Sequence, residues 1–213
     1  HGGGNNSTFT TRVLSSSGTD TYSAISAAIG SLKGPRHGGA NVKVKHMMDE
    51  LLDNIKDLTD EEEIADYLGK IITKDAGDGS GLIYGFGHAI YTLSDPRAKI
   101  LKKNAKKLSA EKGMTDIYEF YKRVEKLVPS VFENVKGSKK VICANVDFYS
   151  GFVYDMLGIE SDLFTPLFAV SRIAGWCAHR IEEITYGGRI IRPAYRSMVK
   201  PTGYVPLDER TAD

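Results

Sequence analysis

Apolar residues recur along this chain at three- and four-residue intervals, with polar residues between them, and this pattern predicts one helix after another. Val44, Met47, Met48, Leu51 and Ile55 share one helical face. Thr59, with Glu62 three residues on, has the form of a capping box ahead of the stripe Ile64, Tyr67, Leu68, Ile71. Ala98, Leu101, Ala105 and Leu108 form the next stripe, and its lysine-rich outer face reads as solvated surface. Ile117, Phe120, Tyr121, Val124 and Leu127 continue the series up to Pro129, which predicts an end or a kink. A helix over about Phe148 to Leu157 closes at Gly158. Another starts at Thr165-Pro166 and runs to Ile184 before Gly187-Gly188. An early helix over Tyr22 to Leu32 is rich in Ala, Ile and Ser and suits close packing. Val141–Ala144 and Arg189–Ile191 are short strand-like runs without clear alternation, and Ala76–Gly81 reads as a glycine-rich loop. The expected fold class is all-α.

Composition adds limits. The chain has 213 residues, room for one large domain or two small ones. Its 28 basic and 27 acidic residues nearly cancel, so no nucleic-acid or membrane partner is expected, and no apolar run reaches the length of a membrane span. Cys143 and Cys177 sit among apolar neighbours and read as two buried free thiols of a cytoplasmic protein. The first residues, His1-Gly2-Gly3-Gly4-Asn5-Asn6, read like the middle of a loop, so the expectation is a piece of a longer chain.

The chemistry gathers in a few segments. His37 lies between Gly34-Pro35 and Gly38-Gly39, just ahead of a helix start near Asn41; the positive end of that dipole favours a neutral ring, which still donates one hydrogen bond. Loop filler is the plainer reading of His37. His88 follows Gly85-Phe86-Gly87, and Asp95-Pro96-Arg97 opens the next helix with Asp95 as N-cap. Arg97 at that helix start suits an anion, or else pairs with a surface carboxylate. On spacing alone Asp147 reads first as an N-cap; as a base it needs the desolvation that Val146 and Phe148 offer. Arg172 stands in Leu167–Trp176, apolar on nearly every face, and requires a carboxylate from protein or ligand. Arg192 by itself passes as a surface residue.

Other classes fall away. No Gly-x-Gly-x-x-Gly follows a strand, and no Walker-type Gly-Lys-Ser/Thr occurs. No His-Glu-x-x-His or paired Cys-x-x-Cys is present, so no metal is expected. His1–Gly4 looks like the oxyanion loop of esterases, but no Gly-x-Ser-x-Gly elbow accompanies it.

Five segments, His1–Thr8, Ser31–Asn41, Gly85–Tyr91 through Asp95-Pro96-Arg97, Asn145–Gly151 and Ser171–Gly175, together resemble the citrate synthase family nearly end to end. The resemblance implies an all-helical subunit of two domains around a cleft, working as a homodimer. It implies a large-domain segment over 1–37, a small closing domain over 38–152 and a second large-domain segment over 153–213, with the N-terminal part of the large domain missing. It implies acetyl-CoA and oxaloacetate as partners, and no cofactor beyond the CoA thioester substrate. By the same resemblance Asp147 is the base for the acetyl methyl group, His37 donates to the thioester oxygen, and His88 polarises the ketone. His1, Arg97, Arg172 and Arg192 are then carboxylate binders, with Arg192 reaching across from the other subunit.

The departures are specific. Arg36 stands where the family usually has leucine, and Thr92 replaces a basic residue used on CoA phosphate, which turns attention to the lysines from Lys99 to Lys107. A 2-methylcitrate synthase using propionyl-CoA, and an inactive fragment with only binding and dimer contacts, remain the alternatives.

Overall fold

The computed structural model describes residues 4–138, 141–196, 198–199 and 202–210. Among them are eight α-helices and two short 3-10 turns, with no strand; the run over 141–144 contributes only an isolated bridge, Ala144 to Phe86. No helix among the described residues is long and apolar enough to cross a membrane.

Two groups of helices pack around separate cores. The larger consists of α3 (Ala40–Asn54), α4 (Glu61–Thr73), α5 (Pro96–Lys112), α6 (Thr115–Lys136) and α7 (Val146–Met156). Their apolar stripes meet in one core that includes Met48, Leu51, Ile64, Leu68, Phe120, Val124, Phe148 and Tyr149. Tyr121 stacks on Phe152 at 4.6 Å between ring centroids, tying α6 to α7. The smaller group consists of α1 (Asn6–Ser16), α2 (Thr21–Lys33) and α8 (Phe164–Tyr186), around Ala28, Leu32 and Trp176.

Helix α1 is the element the apolar pattern does not reveal. Its buried residues are Ser7, Thr8, Thr11 and Ser15, so its inward stripe has helical spacing but is made of hydroxyls. The Thr11 hydroxyl turns back to the Ser7 carbonyl at 2.9 Å, which lets a polar side chain lie inside. Buried Arg180 of α8 donates to Ser15 Oγ, Thr21 Oγ1 and the Thr19 carbonyl, fastening α8 to the α1–α2 corner.

Several local expectations shift. The N-cap of α4 is Asp60, accepting from the Glu62 and Glu63 N–H groups; Thr59 is bound instead to Asp57. Glu63 reaches back to the N–H groups of Lys56 and Asp57, while the Asp60 N–H bonds the Asp57 carbonyl, so the reciprocal box does not form. Helix α6 does not end at Pro129 but runs on to Lys136. Pro129 is on the exposed face of the helix, which continues through it despite the hydrogen bond its missing N–H removes. Cys143 and Cys177 are free and only half-buried. Helix α8 is less enclosed than its composition indicates, since Val170, Ile181 and Ile184 are each at least 60% exposed.

Candidate active site

The cleft lies where the two groups meet, and its position depends on a tight crossing at Gly38. The Gly38 N–H bonds the Leu32 carbonyl at 2.8 Å, while its own carbonyl accepts from Thr165 Oγ1 of α8 at 2.8 Å. A Cβ at Gly38 would fall 2.2 Å from the Leu32 oxygen, so only glycine lets α2, α3 and α8 converge here. A second close approach occurs at Gly85, whose φ is +81° and where a Cβ would sit 3.0 Å from Phe148.

One cavity of about 100 Å³ is lined by His37, His88, Arg97, Asp147 and Arg172, together with Asn5, Asn41 and Asn145. Five of the seven expected site residues therefore converge. His1 lies outside the described residues. Arg192 is exposed on the segment after α8 and is not part of this chain's own cleft.

His37 ends the turn after α2, with Nε2 3.0 Å from Ser7 Oγ. Ser7 Oγ also accepts from Trp176 Nε1 at 3.2 Å and lies 2.9 Å from Asn5 Oδ1. The single Ser7 proton thus sets the tautomer. Directed to Asn5, it leaves Nε2 as the protonated nitrogen of His37; directed to Nε2, it leaves the proton on Nδ1. Burial, with the charge of Arg172 added, lowers the His37 pKa and holds the ring neutral. Arg36 is exposed and contributes no part of that shift.

His88 is fixed from the other side. Its Nδ1 accepts from the backbone N–H groups of Ile90 and Tyr91, at 3.0 and 3.2 Å. A neutral ring therefore carries its proton on Nε2, which lies 3.3 Å from Arg97 Nη2. Burial and then the Arg97 charge push the His88 pKa down, against a smaller pull from Asp95. Two donor edges side by side make a seat for a carbonyl or carboxylate oxygen.

Asp95 organises this corner. It is 1% exposed, and its Oδ1 accepts from the Arg97 N–H and Nε. Its Oδ2 accepts from Arg97 Nη2 at 2.7 Å and from the Val146 N–H at 3.1 Å. Burial alone would raise the Asp95 pKa, but the Arg97 contacts outweigh it and keep the carboxyl ionised. The surface partner allowed for Arg97 is thus a buried one, and it spans the starts of α5 and α7.

Asp147 is released from capping. The N-cap of α7 is Asn145, whose Oδ1 accepts the Asp147 N–H at 2.9 Å while its Nδ2 donates to the Gly87 carbonyl at 3.0 Å. The Asp147 carboxyl has its pKa pushed up to about 6, chiefly by burial, with Arg97 opposing and Asp95 adding to the rise. That suits a proton acceptor working near neutrality. Arg172 lies across the cleft, half-buried, with its guanidinium 5.4 Å from the Phe168 ring centroid. Burial first and Arg97 second lower its pKa, and among the described residues it has no carboxylate partner. The anion that Arg172 requires is therefore not supplied by the described protein.

Among the described residues no His, Cys, Asp and Glu cluster could hold a metal ion. Sequence reasoning missed the capping role of Asn145 and the places of Ser7 and Asn41. The Asn-x-Asp pattern at 145–147 was the available signal, since asparagine caps as readily as aspartate. Thr92 is exposed, as are Lys99, Lys103, Lys106 and Lys107.

The profile described as "Citrate synthase, C-terminal domain" matches residues 1–194. Citrate synthase 2 of Bacillus subtilis is 43% identical over 208 residues, covering 97% of this chain and 50% of its own length. 2-Methylcitrate synthase 1 of Corynebacterium glutamicum is 40% identical, covering 97% of this chain and 49% of its own. A solved ternary complex of carboxymethyl coenzyme A and oxaloacetate with citrate synthase from Thermoplasma acidophilum aligns with TM-score 0.73 and 36% identity, over 96% of this chain and 50% of that one. The chain spans about half the length of the curated relatives it matches.

Proposed function

The chain belongs to the citrate synthase family, and we propose that its cleft condenses acetyl-CoA with oxaloacetate and releases citrate and CoA. Asp147 takes a proton from the acetyl methyl group. His37, neutral, donates a hydrogen bond to the thioester oxygen as the enolate forms. The enolate carbon adds to the oxaloacetate ketone, whose oxygen is polarised by His88 Nε2–H and takes that proton to become the citryl hydroxyl, while the methyl proton held by Asp147 replaces the one His88 gives up. Water then cleaves the thioester.

The observation that carries this reading is the meeting of a carboxyl with a raised pKa and two neutral imidazoles, from three distant segments, in one cleft beside a guanidinium that has no carboxylate partner among the described residues. Arg97 and Arg172 take the oxaloacetate carboxylates. Arg192, exposed and outside its own cleft, serves the site of a second copy, so the working form is a homodimer. The test is CoA thiol release by the full protein from acetyl-CoA, with and without oxaloacetate. Oxaloacetate-dependent release with citrate as product supports the reading; no citrate with both substrates present overturns it.

A further inference from the structure

Asn145 also borders the cleft, and the condensation gives it no bond to make or break. Both ends of its side-chain amide are engaged by the backbone. Oδ1 accepts the Asp147 N–H at 2.9 Å, and Nδ2 donates to the Gly87 carbonyl at 3.0 Å. These partners fix the orientation of the amide, since reversal would set donor against donor and oxygen against oxygen. The two peptide groups it joins stand immediately before the base Asp147 and immediately before the imidazole of His88. One planar group thus spans the attachment points of both.

Backbone pairing does not do this. The Asn145 N–H bonds the Gly85 carbonyl and the Gly87 N–H bonds the Cys143 carbonyl, each at 2.8 Å, on either side of the Phe86–Ala144 bridge. That pairing reaches the Gly87 N–H, and the next peptide, which carries His88, is held by the Asn145 amide. Gly87 has φ +84°, and nothing lies within 4 Å of where a Cβ would stand, so no steric contact at Gly87 opposes rotation of that peptide. The bonds to His88 Nδ1 come from Ile90 and Tyr91 and fix the ring within its own loop. Asp95 ties Arg97 to the Val146 N–H of α7, and Asn145 gives His88 the corresponding tie. Resting on the citrate synthase reading, we propose that Asn145 is a positioning residue for carbon–carbon bond formation. It sets the ketone polarised by His88 within bonding reach of the carbon that Asp147 deprotonates. Misplacement of one reactant by about 1 Å costs about 100-fold in such a step. Proton removal from the methyl group uses Asp147 and His37, and needs only the Oδ1 end of the amide.

The experiment uses the full protein and its Asn145→Ser variant, which keeps an acceptor for the Asp147 N–H but is too short to hold Gly87. Asn145→Asp is the second variant; it has the shape of asparagine and caps a helix equally well, but brings no N–H. Exchange of acetyl-CoA methyl protons with deuterated solvent is followed in the presence of malate, which has the two carboxylates of oxaloacetate and a hydroxyl in place of its ketone. Citrate formation is followed with oxaloacetate, and both are measured at about pH 8.5, where the base is ionised in each protein. In both variants exchange is expected within about threefold of the parent and kcat for citrate at least about 30-fold lower, with the KM for oxaloacetate within about fivefold. Retained exchange shows that the variant is folded with Asp147 in place. Equal loss of exchange and citrate formation overturns the proposal and leaves Asn145 as the cap of α7. Citrate formation within about threefold of the parent overturns it too. So does a loss that saturating oxaloacetate restores, which assigns the amide to substrate binding. Failure of the parent to form citrate overturns the underlying reading as well.

Discussion

Ser7 Oγ lies 3.0 Å from His37 Nε2 and also accepts the indole N–H of Trp176, so one buried hydroxyl ties a cleft imidazole to the core of the smaller helix group. The position of its single proton decides which imidazole nitrogen is a donor. Ser7→Ala is expected to lower kcat by about 10- to 100-fold through loss of tautomer control while changing the KM for oxaloacetate little. It also leaves Trp176 Nε1 buried and unpaired, a destabilisation of about 1–3 kcal/mol. Steady-state kinetics and thermal unfolding of the same variant separate the two effects; unchanged kcat with a lowered Tm would make Ser7 a packing residue only.

The Asp147 carboxyl is pushed up to about 6, so the base is ionised only above that pH. Turnover is expected to rise tenfold per pH unit below about 6 and to level off above it, measured as kcat against pH. The stability effect has the opposite sign. Between the ordinary carboxyl range and about 6 the folded state holds more protons than the unfolded one, so stability falls as pH rises through that window. Asp147→Asn is expected to abolish most turnover and, above pH 6, to stabilise the fold by roughly 1–3 kcal/mol, with no gain near pH 4. Parallel denaturation curves at the two pH values check this.

Arg172 has no carboxylate partner among the described residues. Arg172→Leu is therefore expected to weaken oxaloacetate binding by about 2–5 kcal/mol without loss of fold stability. Calorimetric titration with oxaloacetate measures the first and thermal unfolding the second. Unchanged affinity would remove this arginine from the binding site.

Acetyl-CoA is the expected acyl donor, with propionyl-CoA the competitor. One methylene in an apolar pocket discriminates by only about 1–3 kcal/mol. The ratio of kcat/KM for the two thioesters is expected to favour acetyl-CoA by about 10- to 200-fold. A ratio below one would make the protein a 2-methylcitrate synthase.

The helices that pack through leucine, isoleucine and aromatic side chains were legible in the sequence. Residues Val44 to Leu51 of α3 and Ile117 to Val124 of α6 carry their inward faces in plain apolar code. Helix α1 was not legible, because Ser7, Thr8 and Thr11 look polar until the neighbouring helices are in place. The site shows the same division. His37, His88, Arg97, Asp147 and Arg172 stood out as residue types in glycine-rich, apolar or helix-start settings, and they come together from four distant segments. The bracing groups did not stand out. Which of Asn145 and Asp147 caps α7, and which end of the Asn41 amide is left without a donor, depends on hydrogen bonds between segments far apart in sequence. Local spacing carries no record of those.

The buried carboxylate of Asp95 has a consequence for altering this site. It holds the Arg97 guanidinium with one oxygen pair and the first N–H of α7 with the same pair, so the carboxylate-binding arm and the platform under Asp147 share a single anchor. Replacing Asp95 to retune selectivity would shift substrate grip and proton abstraction together. Variation that seeks a new dicarboxylate while preserving rate has to begin from the Arg172 side of the cavity, where the described residues hold no such common tether.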